Sequence, residues 1–433
     1  MYFDSRSRGS FLYGYNQLSH HTKHVLVIGG GVIGTACAHY LEAGGYSVSL
    51  IDRGRVGGEA SHGNCGVICP SHLLPLAEPG VIGQTLGSFF RRRSPFFIAP
   101  RVDFDLWRWL FRFAGNCRED QMIKTGHAAL SLLQQSRRLY DELINEYGLA
   151  CDWETTGTLY VCKLPQTFAS FSSTVKLLQT EYGVAARSYL GENISALEPA
   201  LRPGLAGAWH FPGDAHLRPD RLLQSWRDSL VERDVKILEN TTLQELVFND
   251  GRPTAARTTQ GEIVADHFVF ATGAFTPQLS DQLGWSPPIQ PAKGYSLTMP
   301  RPKRCPNYPL NLVDSGIVAT PWKSGYRLGS ILEFSGYNRR IDPRRVTLLR
   351  TGANECLKEA CADMIEETWV GWRSMTPNGL PCIDRCPIAS NVYVAAGHNM
   401  LGMSMATGTG QMIAQMIDER VPSVDPNAYR LQF

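Results

Sequence analysis

Between Val25 and Asp52 the chain reads as strand, glycine turn, helix, strand and acid. Val25 to Ile28 is a short apolar run that breaks into Gly29-Gly30-Gly31-Val32-Ile33-Gly34. A helical pattern from Thr35 to Ala43, a turn at Gly44-Gly45 and a second apolar strand from Tyr46 to Ile51 lead to Asp52. This order and spacing is that of the dinucleotide-binding βαβ unit. Gly29 makes the tight turn, Gly31 lets backbone approach a pyrophosphate, and Gly34 lets the helix pack on the strand. Val32 and Ile33 stand in this turn as further cofactor contacts, and the helix N-terminus turns free N–H groups and a positive dipole end toward phosphates. Asp52 is placed to accept hydrogen bonds from a ribose diol. The unit alone does not choose between FAD and NAD.

A chain of 433 residues exceeds one small core and is long enough for two domains. Hydrophobic residues make up 43% and charged residues 19%, the balance of a globular protein. A net charge of +2, without a basic tail or zinc-finger spacing, argues against a nucleic-acid partner. The 11 cysteines form no dense framework and read as reduced thiols in a cytosolic-type compartment. Cys65/Cys69 and Cys382/Cys386 are C-x3-C pairs, for which buried structural cysteine is the simpler reading, and no metal site is expected. Residues 1–23 lack the continuous apolar core of a signal peptide and read as a flexible extension. No stretch approaches the roughly 20 apolar residues of a spanning helix.

The segment from Arg53 to Ile68 is glycine-rich and aperiodic, a loop directly after the βαβ acid. Such a loop suits the rest of a long cofactor, with Ser61 and backbone N–H groups on phosphate and Asn64, Cys65, Gly66 and Val67 against a ring; the alternative is a surface excursion. From Ile82 to Phe113 aromatic residues interleave with arginine, as in Phe89-Phe90-Arg91-Arg92-Arg93 and Leu106 to Phe113. That pattern suits a membrane interface, but a core helix with its arginines along a solvated face is the simpler reading. His127 to Tyr147 and Pro165 to Tyr182 read as helices, and Asn249-Asp250-Gly251 as a hairpin turn. A buried strand ends in Ala271-Thr272-Gly273-Ala274, small residues close to something, so the dinucleotide domain resumes there after an insertion. A β-rich block follows from Pro287 to about Val370. A second strand–glycine–helix unit is built by Val392 to Ala396, then Gly397-His398-Asn399-Met400-Leu401-Gly402-Met403. It offers another helix N-terminus to an anion or a flavin oxygen.

With these motifs in view the chain resembles the FAD-dependent D-amino-acid oxidase superfamily, and within it bacterial D-amino-acid and D-hydroxyproline dehydrogenases. The resemblance is carried by Val27 to Gly34, Ala60 to Gly66, Ala271 to Ala274, Lys293 to Thr298, Gly371 to Pro377 and Gly397 to Gly402, in order over nearly everything after His24. Cys65 stands where the family usually has alanine, and Met403 where it often has tryptophan. The resemblance implies an α/β fold, α+β overall, with a Rossmann-like FAD-binding domain and a discontinuous β-rich substrate domain. The FAD-binding domain takes residues 24–110, 205–290 and 370–433, and the substrate domain 111–204 and 291–369. FAD is the implied cofactor: Asp52 and Arg53 at the adenosine ribose, Leu243 at the adenine, and His398 to Met403 facing the isoalloxazine.

The implied reaction is oxidative deamination of D-amino acids, cyclic D-proline or hydroxyproline types included, by hydride transfer from Cα to flavin N5. Electrons then pass to a quinone-type acceptor or the respiratory chain, with peripheral contact on the inner face of a membrane. A substrate carboxylate needs a cation or paired donors. The candidates are Arg373 and Tyr295, with Arg327, Tyr326, Tyr337 and His62 as further substrate contacts; each has an alternative as a structural ion pair or core residue. His398, at a glycine turn beside a helix start, reads as a neighbour of the flavin. Rival readings are a sarcosine- or glycine-oxidising enzyme using oxygen, an NAD-dependent dehydrogenase, and a non-catalytic flavoprotein subunit.

Overall fold

The computed structural model describes residues 22–85 and 96–431. The expected extension lies outside these residues up to position 21, as do Phe89, Phe90, Arg91, Arg92 and Arg93.

The βαβ unit forms as read: strand His24–Ile28, helix Val32–Ala43 and strand Ser47–Ile51. It nucleates a six-stranded sheet whose lateral order is Cys382–Arg385, Val392–Ala396, His267–Phe270, His24–Ile28, Ser47–Ile51 and Lys236–Leu238. Its pairings are parallel except at the Cys382–Arg385 edge. Side chains alternate across the central strand. Val25 and Val27 pack beneath the helices, while Leu26 and Ile28 face Leu243 and Leu246 of a three-stranded meander on the other side. The first turn of that meander is the hairpin expected at Asn249-Asp250-Gly251, with a two-residue loop. Asp250 and Gly251 both hold positive φ and Asn249 pairs with Arg252, the geometry a right-twisted ribbon prefers.

The helix Val32–Ala43 lies directly on its own strand turn. A Cβ on Gly34 would stand 1.8 Å from the carbonyl oxygen of Gly29, so glycine alone permits the approach. The small-residue helix Gly402–Ile417 crosses the first helix as closely, because a Cβ on Gly410 would come within 2.5 Å of the Ala36 backbone.

The second layer is a nine-stranded sheet. Its lateral order begins Glu367–Met375, Gln290–Met299, Gly325–Phe334, Ile317–Trp322, Leu310–Leu312, Thr158–Cys162 and Gly207–Phe211. This membership cuts across the expected domain boundaries. Phe96–Ile98, Gly207–Phe211 and Glu367–Met375 are paired into this sheet, although each lies wholly or partly in segments assigned to the FAD-binding domain. Conversely, the helix Glu119–Tyr147, assigned to the substrate domain, packs on the dinucleotide side. Its Leu132, Leu133 and Leu143 share one core with Met405 and Met412, and the Ser136 hydroxyl accepts the Gly408 N–H at 2.8 Å. Pairing partners far apart in sequence decide membership, and a linear division of the chain does not contain them.

Gly34→Ala is expected to force the first helix off its strand. The cost is roughly 3 kcal/mol or more, the upper range for overpacking in a site that cannot relax. Denaturant unfolding checks it; an unchanged midpoint would show that the contact is not rigid.

Candidate active site

A cavity of about 570 Å³ runs between the two sheets. At one end lie Asp52, Arg53, Thr242 and Leu243. The Asp52 carboxylate holds the turn itself, its Oδ2 accepting the Gly30 N–H and its Oδ1 the Gly54 N–H, each at 2.7 Å. Burial pushes its pKa up, against the pull of those two N–H donors. Arg53 stacks on Phe275 with its guanidinium carbon 3.7 Å from the ring centre. Next come Gly29, Gly31, Val32 and Ile33. The first helix has no cap from its own N-cap residue, Gly31, and no acid in its first turn, and the Val32 N–H donates to Ser61 Oγ at 3.0 Å. An uncapped helix start lined by glycine is a cradle for phosphate.

Further along, Asn64, Cys65 and Val67 face Ala271, Thr272 and Gly273 and the turn His398 to Met403. The loop 61–67 is held by Arg327, whose Nη1 donates to the carbonyls of His62 at 2.6 Å and Asn64 at 2.7 Å. Asn399, at positive φ, fixes the other turn: its amide donates to Gly397 O at 3.0 Å and its Oδ1 accepts the Thr376 N–H at 2.8 Å. The helix Gly402–Ile417 begins here, also without a side-chain cap or an acidic first turn. Two uncapped helix starts at two stations of one long cavity fit a dinucleotide with a diphosphate near its middle and an electron-poor ring at its end.

The floor beyond the ring end is the nine-stranded sheet. Arg373 crosses over Gly294, where a Cβ would lie 2.1 Å from its Nη1, and donates to Ile331 O at 2.7 Å. Ile331 holds φ +63°, a costly conformation for a β-branched residue, and this turns its carbonyl to the guanidinium. Burial lowers the Arg373 pKa, and among the described residues no carboxylate pairs with it. Tyr295 lines the cavity too, but its hydroxyl donates to Glu333 Oε2 at 3.1 Å. Glu333 is bridged by Lys293 at 3.1 Å and Arg345 at 3.3 Å. Burial opposes its ionisation, yet those cations hold its pKa below the usual range. Tyr295, buried and bonded to this anion, has its own pKa raised and stays protonated.

Several expected contacts stand elsewhere. Arg327 is a buried clamp on the loop, also donating to Thr298 Oγ1 at 2.9 Å, and does not reach the cavity wall. Tyr326, its neighbour in the strand, points to the opposite face and lies in the core with Leu297 and Leu328. His62 turns outward to Glu367 at 2.9 Å. Tyr337 lies behind the wall, stacked on Phe275 and donating to Ala274 O at 2.6 Å. Gly34, Gly66 and Gly397 are off the cavity, where they shape the turns that form it. The lining also includes residues the sequence reading did not single out, notably His72, Tyr160, Asn311, Trp369 and Trp372. For Asn311 a signal existed: a polar residue between Leu310 and Leu312 in a short strand marks a face that is not core.

His398 is buried, its Nε2 lies 3.0 Å from Thr409 Oγ1, and burial pushes its pKa down to about 3. His39 is lowered to about 3 by burial and by Arg233, whose Nη2 donates to its Nδ1 at 2.8 Å. Both stay neutral in the folded chain while the unfolded chain binds protons below the ordinary value of 6.5. Stability therefore falls with acidification, each histidine adding a slope of up to about 1.4 kcal/mol per pH unit. Urea unfolding between pH 7 and 5 is expected to show this, with a shallower slope in His39→Gln; an identical slope would refute the assignment.

Comparison with known proteins places this geometry in a family. Residues 24–416 match the FAD dependent oxidoreductase family. The chain is 31% identical to the D-amino acid dehydrogenase of Granulibacter bethesdensis (strain ATCC BAA-1260 / CGDNIH1), over 93% of this chain and 97% of that protein. It is 33% identical to the D-amino acid dehydrogenase of Methylobacterium nodulans (strain LMG 21967 / CNCM I-2342 / ORS 2060), over 92% and 96%. In fold it is similar to the glycine oxidase of Geobacillus kaustophilus, with a TM-score of 0.76 and 20% identity over 95% of this chain and 99% of that one. The cradle, the long cavity and the match over most of the chain agree, and the protein belongs to the FAD-dependent oxidoreductase family.

Proposed function

We propose that the protein oxidises amino acids of D configuration at Cα, cyclic D-proline or hydroxyproline types included. The observation that carries this reading is the Arg373 guanidinium, half-buried in the cavity wall without an acid partner among the described residues. A desolvated cation is costly unless an anion reaches it, and a substrate carboxylate can accept two of its N–H groups. The similarity to D-amino acid dehydrogenases supports the substrate class.

FAD, when bound, supplies the acceptor for the hydride that leaves Cα. The chain's own residues bind and orient. Arg373 fixes the carboxylate, with Ile331 O holding the guanidinium in place. His398, neutral and bonded to Thr409, adds no charge beside the ring. Tyr295 is a protonated donor committed to Glu333 and is no base. No strong base is required where the amine arrives neutral, and the site contributes mainly by positioning, which is worth up to roughly 7–11 kcal/mol in ideal cases.

Arg373→Lys is expected to lower kcat/KM for D-alanine roughly 100-fold with FAD content unchanged, since a point charge replaces a bidentate fork. Anaerobic bleaching of the flavin by D- and L-amino acids and N-methyl amines tests the class. Bleaching by sarcosine or glycine alone would favour the oxidase reading. Rapid reoxidation by oxygen would rule out a quinone-type acceptor in favour of oxygen.

The acceptor reading has a surface to support it. In the helix Phe104–Asn116, Leu106, Trp109 and Phe113 are buried, whereas Phe104 is 81%, Trp107 57% and Phe111 83% exposed. Arg108 and Arg112 lie among them, so outward aromatic rings and cations occur together, as at a membrane interface. Among the described residues no helix is long and apolar enough to cross a membrane. Co-sedimentation with anionic vesicles is expected to drop in a Phe104→Ser/Trp107→Ser/Phe111→Ser variant; equal sedimentation would remove the idea.

A further inference from the structure

The cavity continues past Arg373. Its floor is crossed in lateral order by the strands carrying Arg373, Gly294, Ser330, Val318, Asn311 and Tyr160. Arg373 reaches as far as Ile331 O, on the Gly325–Phe334 strand. From there to Thr158–Cys162 is three strand spacings, about 14 Å. An alanine-sized substrate held at Arg373 leaves that far end untouched.

The far end is built and polar. Tyr160 OH lies 3.3 Å from His72 Nδ1, and Asn311 stands beside Tyr160 in register on the adjoining strand. Ser71, next to His72 in the chain, is tied to buried Asp214, donating its hydroxyl to Oδ2 at 2.7 Å and its N–H to Oδ1 at 3.1 Å. Asp214 is off the cavity and holds the network from behind. Among the described residues the His72 Nε2 has no hydrogen-bond partner. Burial lowers the His72 pKa and raises that of Tyr160, so both are neutral. Neutral imidazole, phenol and carboxamide each donate and accept, and none carries a charge to neutralise an ion. Buried donors and acceptors of this kind discriminate strongly against a group that cannot pair with them.

We propose that this end is a side-chain subsite, where His72, Tyr160 and Asn311 bind the uncharged carboxamide terminus of an elongated amino acid whose carboxylate rests on Arg373. It deepens the reading of the site as an amino-acid oxidase or dehydrogenase, and rests on that reading for the role of Arg373.

Glutaramate carries the carboxylate and carboxamide but has no amine to oxidise, so it probes the subsite without turnover; hexanoate is its apolar counterpart. Titrated into the FAD-loaded protein and followed by flavin absorbance, glutaramate is expected to bind roughly tenfold tighter than hexanoate. Tyr160→Phe is expected to bring that ratio toward one. In turnover, D-glutamine is expected to exceed D-norleucine in kcat/KM by a similar factor. Equal affinities in the wild type, or a ratio unmoved by Tyr160→Phe, would overturn the subsite. A retained glutaramate preference with no flavin bleaching by any amino acid would uphold the subsite and overturn the catalytic reading.

Discussion

The contact between Gly34 and the Gly29 carbonyl sets the position of nearly everything else. It seats the helix Val32–Ala43 on the strand His24–Ile28, which aims the uncapped helix start along the cavity. The helix Gly402–Ile417 then crosses the first at Gly410 against Ala36. The second helix start is thereby held at a set offset from the first. A ligand that needs an anion cradle and, further on, a second positive helix end finds both because two helix contacts are too tight for side chains.

The two sheets meet around three buried cations and the half-buried Arg373, and these divide by what neutralises them. Lys293 and Arg345 share Glu333. Arg327 spends its donors on loop carbonyls and Thr298, with Asp220 at 3.7 Å. Arg373 has only the Ile331 carbonyl among the described residues. Burial depresses the pKa of both Arg327 and Arg373. The difference is that Arg327 faces the protein's own backbone and Arg373 faces open cavity. A cation bonded to backbone consolidates a loop, and one turned to a cavity awaits an anion.

Much of the site was legible in local order. The glycine turn, its acid, the small residues at Ala271 to Gly273 and the second turn at His398 to Met403 all line the cavity, because each depends on local order within at most about 30 residues. Arginine and tyrosine roles in the β-rich block were less legible. Tyr326 and Arg327 are adjacent in one strand and so face opposite sides, which already prevents both from touching one substrate. Which side faces the cavity depends on the pairing of Gly325–Phe334 with its neighbours, a property of residues tens of positions away. His72, Tyr160 and Asn311 come from three separate segments, and no spacing rule joins them.

The sequence by itself determined the dinucleotide unit, the two helix starts, the hairpin at Asp250-Gly251 and the residue types available for binding a carboxylate. These follow from short-range backbone sterics and hydrogen bonding, which neighbouring residues decide. Only the tertiary structure decided which cation stays unpaired, which strands enter which sheet, and which polar residues end the cavity. Those outcomes depend on burial and on partners brought together across hundreds of residues, and a charge is known to be spent or free only when its surroundings are known.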